Sequence, residues 1–113
     1  MKKSVIIILS IIFCGFLFST AIAAGDVKKG EALFNDPKLG GGTAGASCNS
    51  CHPQGKGMEK ASDKRNLEGQ VNACIQNALK GKGLDPRSSE MADIVAYIRS
   101  FKGKASVKQT PGK

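Results

Sequence analysis

The sequence predicts an all-α fold, a small bundle of four to five short helices, on three observations. Apolar residues recur at steps of three and four in two segments, no run alternates with period two, and glycine-rich breaks separate the segments. Asp26 reads as the N-cap of a first helix that carries Val27, Leu33 and Phe34 and stops at Asn35-Asp36-Pro37. Leu39 to Ser47 holds Gly40, Gly41, Gly42 and Gly45, a flexible approach to the short motif Cys48-Asn49-Ser50-Cys51-His52. Gln54 to Arg65 is polar and basic and is expected to be an irregular loop. The next helix covers Leu67 to Lys80, with Leu67, Val71, Cys74, Ile75, Ala78 and Leu79 on a buried stripe and Gly81 and Gly83 ending it. The last begins at Ser88 or Ser89 and runs to Phe101, with Met91, Ile94, Val95, Ile98 and Phe101 on one face and Gly103 as its stop.

The chain of 113 residues carries Lys plus Arg 17 against Asp plus Glu 9, a net charge of +8. That length allows one domain. Met1 to Ala23 has the layout of a secretory signal peptide: Lys2 and Lys3, an apolar run from Val5 to Phe18, and the small-residue box Ala21-Ile22-Ala23. Read as Val5 to Ala24, the apolar stretch is about long enough to serve as an uncleaved membrane anchor, the minor alternative. A lipid anchor on Cys14 is disfavoured, because the bulky Phe13 stands where such attachment needs a small residue. The domain is therefore expected over 24–103 and outside the cytoplasm, in the periplasm by default. Residues 104–113 are read as a disordered basic tail.

Without the leader, 90 residues remain, with 15 basic and 9 acidic side chains. Only 30 of them are apolar, and Phe34, Tyr97 and Phe101 are the only aromatics. Small domains bury a poor fraction of their surface and commonly need a staple. Something besides side chains is expected to fill the middle, and the arithmetic disfavours a multidomain enzyme or a polytopic membrane protein.

Three cysteines remain beyond the leader, Cys48, Cys51 and Cys74, and an odd number cannot close a disulfide framework. The motif Cys48-x-x-Cys51-His52 has the spacing of a c-type haem attachment site. Two thiols on one helical turn can each add to a vinyl group on the porphyrin rim, and His52 then supplies an imidazole to the iron. A thioredoxin-like pair would need a preceding strand, which the pattern lacks. A structural zinc site would want four ligands, and only Cys74 is left to complete the set. A Cys48–Cys51 disulfide would close too short a loop to staple anything. One haem c, bound covalently through Cys48 and Cys51 with His52 as proximal ligand, is the expectation.

The whole arrangement resembles the class I cytochrome c family. Lys29-Gly30-Glu31-Ala32-Leu33-Phe34 is similar to that family's N-terminal helix, and Asp93-Ile94-Val95-Ala96-Tyr97-Ile98-Arg99 to its C-terminal helix. The resemblance implies that these two helices cross at near right angles, with Gly30 allowing their backbones to approach. Gly costs a helix about 1 kcal/mol, so a close crossing gives it a reason to be there.

The family's distal methionine usually precedes the last helix by some ten residues, but the corresponding stretch Lys80-Gly81-Lys82-Gly83-Leu84-Asp85 contains no Met. Met91 is the first candidate for the distal position, against its role as a core residue in register with Ile94, Val95 and Ile98. Cys74 is the second, because the segments around it resemble haem domains of sulfur-oxidising cytochromes, some of which use a distal thiolate; the competing role is an inert buried thiol. Met58, six residues after His52, is third, and a Lys, a water or an open site remains. A thioether raises the reduction potential, a thiolate lowers it, and an open site binds ligands.

The function implied is one-electron transfer between redox partners by a monomeric haem carrier, with no catalytic constellation. Lys56, Lys60, Lys64 and Arg65 after the motif, with Lys80 and Lys82, suit an acidic docking partner whose binding weakens with salt; the bland alternative is solubility. An exported chain without an aromatic stacking stripe is a poor nucleic-acid binder. Two other functions remain: a haem subunit or partner of a thiosulfate- or sulfur-oxidising enzyme, and a ligand-binding haem sensor.

Overall fold

The structure, a computed structural model, describes residues 24–102 and Lys104. The expected leader with Cys14, the stop at Gly103 and the rest of the tail lie outside the described residues. Among the described residues there are four α-helices and no strands: α1 Val27–Phe34, α2 Cys48–Cys51, α3 Leu67–Asn77 and α4 Ser89–Arg99. Three single 3₁₀ turns, Leu39–Gly41, Pro53–Gly55 and Ala61–Asp63, fill the connections. None of these helices is long and apolar enough to cross a membrane.

Each longer helix starts on a side-chain cap. Asp26 accepts from the N–H groups of Lys28 and Lys29, Asn66 from Gly69, and Ser88 from Met91. These bonds satisfy donors that have no partner inside the helix. They also hold the Asp26 carboxyl below its ordinary value, the Lys29 N–H being the largest cause.

The helix α1 packs on α4 at backbone distance. A Cβ at Gly30 would lie 2.0 Å from the Asp93 carbonyl oxygen and 2.7 Å from the Tyr97 Cβ, so no other residue fits there. Gly25 is equally close, 1.9 Å from the Ala92 oxygen. The Asp26 N–H donates to the Asp93 carboxylate at 2.7 Å, which fastens the crossing. Phe34, Tyr97 and Phe101 then meet edge to face, with centroids 4.8 to 5.8 Å apart. Such pairs contribute about 0.5–1.5 kcal/mol each beyond their burial.

Around this crossing the core gathers Phe34, Leu39, Leu67, Val71, Ile75, Leu79, Met91, Ile94, Val95, Ile98 and Phe101. Two expectations about the connections are corrected. The glycine-rich approach after α1 is ordered: Leu39 is buried, and Thr43 and Ala44 donate backbone N–H groups to the Leu79 carbonyl. The third helix ends at Asn77, three residues early. Lys80 there takes φ +57, the Leu79 N–H reaches back to the Cys74 carbonyl at 3.3 Å in a six-to-one closure of the helix end, and the Gly81 N–H reaches Ile75 at 2.9 Å. The left-handed position usually taken by Gly is filled by Lys80.

The segment 80–85 is pinned to Gly40 and to Asn72 of α3. The Lys82 N–H donates to the Gly40 carbonyl, and Asn72 on α3 both donates to the Leu84 carbonyl at 2.9 Å and accepts from the Leu84 N–H at 2.8 Å.

Candidate haem-binding cavity

The motif Cys48-x-x-Cys51-His52 forms the single turn of α2 and its exit. Ser47 and Ser50 cap it reciprocally, with the Ser47 N–H donating to the Ser50 hydroxyl at 3.0 Å. The Asn49 side chain accepts from the Gln54 N–H at 2.9 Å, and the Gly55 N–H donates to the His52 carbonyl at 2.9 Å, so the chain doubles back under the histidine. Gly55 has φ +79, and a Cβ there would lie 2.5 Å from the Phe101 ring. The aromatic cluster thus backs directly onto the turn that carries His52.

The His52 Nδ1 lies 2.9 Å from the Lys56 carbonyl oxygen. A carbonyl can only accept, so Nδ1 carries the proton and Nε2 of the neutral ring keeps its lone pair. A second partner on the far nitrogen fixes tautomer and ring orientation, as metal-bound histidines require.

Cys48, Cys51 and His52 all line one cavity of about 240 Å³. A single water needs roughly 10–15 Å³, so the space suits a much larger group. Its far wall comes from one face of α3, Leu67, Gln70, Val71 and Cys74, joined by Ala78 and Leu79 just after it and by Ile98 of α4. Ser47, Met58 and Ala61 complete it. Most of these side chains are apolar.

All three described cysteines are free thiols. Burial pushes the Cys48 thiol up to about 11, with charge on Cys74 the next cause and charge on Cys51 a smaller one. Cys48 therefore faces the cavity as a protonated thiol at neutral pH.

The structure distributes the distal candidates unevenly. Met91 is 0% exposed, packed in the core beside Ile94, Val95 and Ile98, and it does not line the cavity. Its sulfur points into the protein because α4 turns its apolar stripe toward α1 and the core. None of residues 80–85 lines the cavity either. Cys74 is corrected in the opposite sense: it is exposed rather than buried, because the buried stripe of α3 runs through Leu67, Val71, Ile75 and Leu79 and leaves Cys74 beside it, on the cavity wall. Met58 is also on that wall. Gln70, which carries no motif signal, was visible in the sequence only as the residue one turn before Cys74.

The loop 56–65 borders the cavity through Met58 and Ala61 while Lys56, Lys60, Lys64 and Arg65 stand exposed on it. Asp63 of this loop pairs with Lys102 at 3.0 Å, an exposed contact that holds the Asp63 carboxyl below its ordinary value. Among the described residues no group of three or more His, Cys, Asp or Glu side chains is placed to hold a bare metal ion. No protein-family model, curated protein or solved structure matches the chain.

Proposed function

We propose that the chain is a monohaem c-type cytochrome that carries single electrons between protein partners outside the cytoplasm. The observation that carries this is the convergence of two thiols and a tautomer-fixed histidine on one apolar cavity: Cys48, Cys51 and His52 line it together, and the Nδ1 of His52 is held by Lys56. A single histidine facing an apolar wall is a poor site for a bare ion and a suitable one for a metal already held in a flat macrocycle. Cys48 and Cys51 would hold that group by thioethers and His52 by Nε2. Bound there, a haem supplies one-electron ferric–ferrous cycling, and the protein supplies burial and the axial ligands.

For the distal position Cys74 is the best-supported donor. His52 through Ala61 is a succession of tight turns, His52 to Gly55, Gly55 to Met58 and Met58 to Ala61, so Met58 belongs to the same segment as the proximal histidine. Cys74 is the one sulfur on the wall that comes from a separate element, α3. A thiolate there favours ferric iron and a low potential. The same cysteine supports a second reading, a haem subunit or partner of a sulfur-oxidising enzyme; turnover of thiosulfate by the purified holoprotein alone would favour it over the carrier.

The exposed Lys56, Lys60, Lys64 and Arg65 at the rim support an acidic docking partner, with steering that salt screens.

The test is a pyridine haemochrome assay with intact-mass measurement on the full chain exported from a host that attaches haem. Expected is one covalent haem per chain, lost in Cys48→Ala with Cys51→Ala. A chain that folds and carries no covalent haem would end this reading.

A further inference from the structure

Gln70 and Cys74 sit four residues apart on α3 and both line the cavity. Residues at that spacing share a helix face with Cβ atoms about 5–6 Å apart. Helical side chains lean toward the N-terminus, so the Cys74 sulfur lies over the turn that carries Gln70. The polar side chains on the wall differ in what they have left to give. The Ser47 hydroxyl is engaged with Ser50 at 3.3 Å, and His52 Nδ1 is committed to Lys56. The Gln70 amide has no hydrogen-bond partner among the described residues and is the only amide donor on the wall.

We infer that Gln70 is a positioning residue for the distal sulfur, its side-chain N–H donating to Cys74 and drawing charge from the thiolate. This rests on the haem reading above with Cys74 as distal ligand. A hydrogen bond to a ligating sulfur weakens its donation to ferric iron and so raises the potential relative to the bare thiolate. A serine or apolar residue at position 70 would leave the sulfur unsupported, and the protein would hold its electron less well.

The experiment uses the full-length holoprotein and compares wild type, Cys74→Ser, Gln70→Leu and Gln70→Asn by ferric EPR, redox titration and urea unfolding. Gln70→Leu is expected to shift the ferric-to-ferrous ratio at fixed poise about tenfold toward ferric, 59 mV for one electron. It should also change the low-spin EPR signal while leaving the urea midpoint in place, because Gln70 is exposed. Gln70→Asn, which keeps an amide on a shorter stem, should recover part of the shift. An unchanged potential and EPR signal in Gln70→Leu would overturn the inference. A Cys74→Ser protein with covalent haem and an unaltered ferric spectrum would overturn it too, but would leave the haem reading intact. Absence of covalent haem in every variant, wild type included, would end both.

Discussion

The His52 Nδ1 donates to the Lys56 backbone carbonyl at 2.9 Å across four residues. The bond depends on a turn whose next residue, Gly57, has φ +85, a left-handed position that costs a side-chain residue about 1–2 kcal/mol. A Cβ at Gly57 would meet His52 Nδ1 only at 3.8 Å, an ordinary contact, so the penalty is conformational. Gly57→Val is expected to destabilise the fold by about 1–2 kcal/mol, read as a lower urea midpoint at unchanged slope.

Gly30→Ala should be worse. The added Cβ would fall between two backbones, 2.0 Å from the Asp93 oxygen, where neither α1 nor α4 can yield cheaply. A loss of about 2–3 kcal/mol or more is expected by urea denaturation. Gly45→Ala is the matched control: nothing lies within 4 Å of its Cβ, and only φ +72 opposes it, so a loss of about 1 kcal/mol is expected.

Asn72 bridges Leu84 through both its oxygen and its nitrogen, part-buried on α3. Asn72→Ala would strand the Leu84 N–H and carbonyl together. A loss of about 2 kcal/mol is expected, with faster amide exchange confined to residues 80–85. An exchange pattern that rises uniformly across α1 and α4 would count against this local role.

The Cys48 thiol gives the haem-free chain a pH dependence. Its value is raised from an ordinary 9.0 to about 11, chiefly by burial. A group raised on folding stabilises the fold while protonated, so this contribution is complete below about pH 9 and is lost as pH rises through 11. The urea midpoint of the apoprotein should fall over that window, and Cys48→Ala should flatten the fall. A midpoint that drops below pH 7 instead would show that another group governs it.

Much of the architecture was legible in the sequence because it is periodic or capped. Asp26 and Asn35 bound α1 as expected, Ser88 caps α4, and Gly30 lies in the close crossing for the reason a helical glycine suggests. What escaped has no period. The Asn72–Leu84 pairing joins a side chain to a backbone twelve residues away, and Phe101 against Gly55 joins the residues just after α4 to the turn that follows the motif; neither leaves a repeating trace. Cys74 was misplaced because a 3.6-residue stripe has fuzzy edges: position 74 lies beside Leu67 and Val71 on the wheel, seven and three residues on from them, and only the neighbouring cavity decides which side of the edge it takes. Met91 lies where periodicity places it, in the core and off the cavity wall, so its position follows from the stripe and its distance from the cavity does not.

The joint between Asp26 and Asp93 spans 67 positions, and it sets an order of events on a chain that is delivered from its N-terminus. Among the described helices α1 emerges first, but its packing partner α4 is the last to be made. The ring of Phe101 that closes behind Gly55 arrives later still. Until then the turn bearing Cys48, Cys51 and His52 has no floor beneath it, and its thiols stand in the open. A prosthetic group would meet those thiols most easily in that interval, before the final helix docks and turns an accessible peptide into the wall of a cavity.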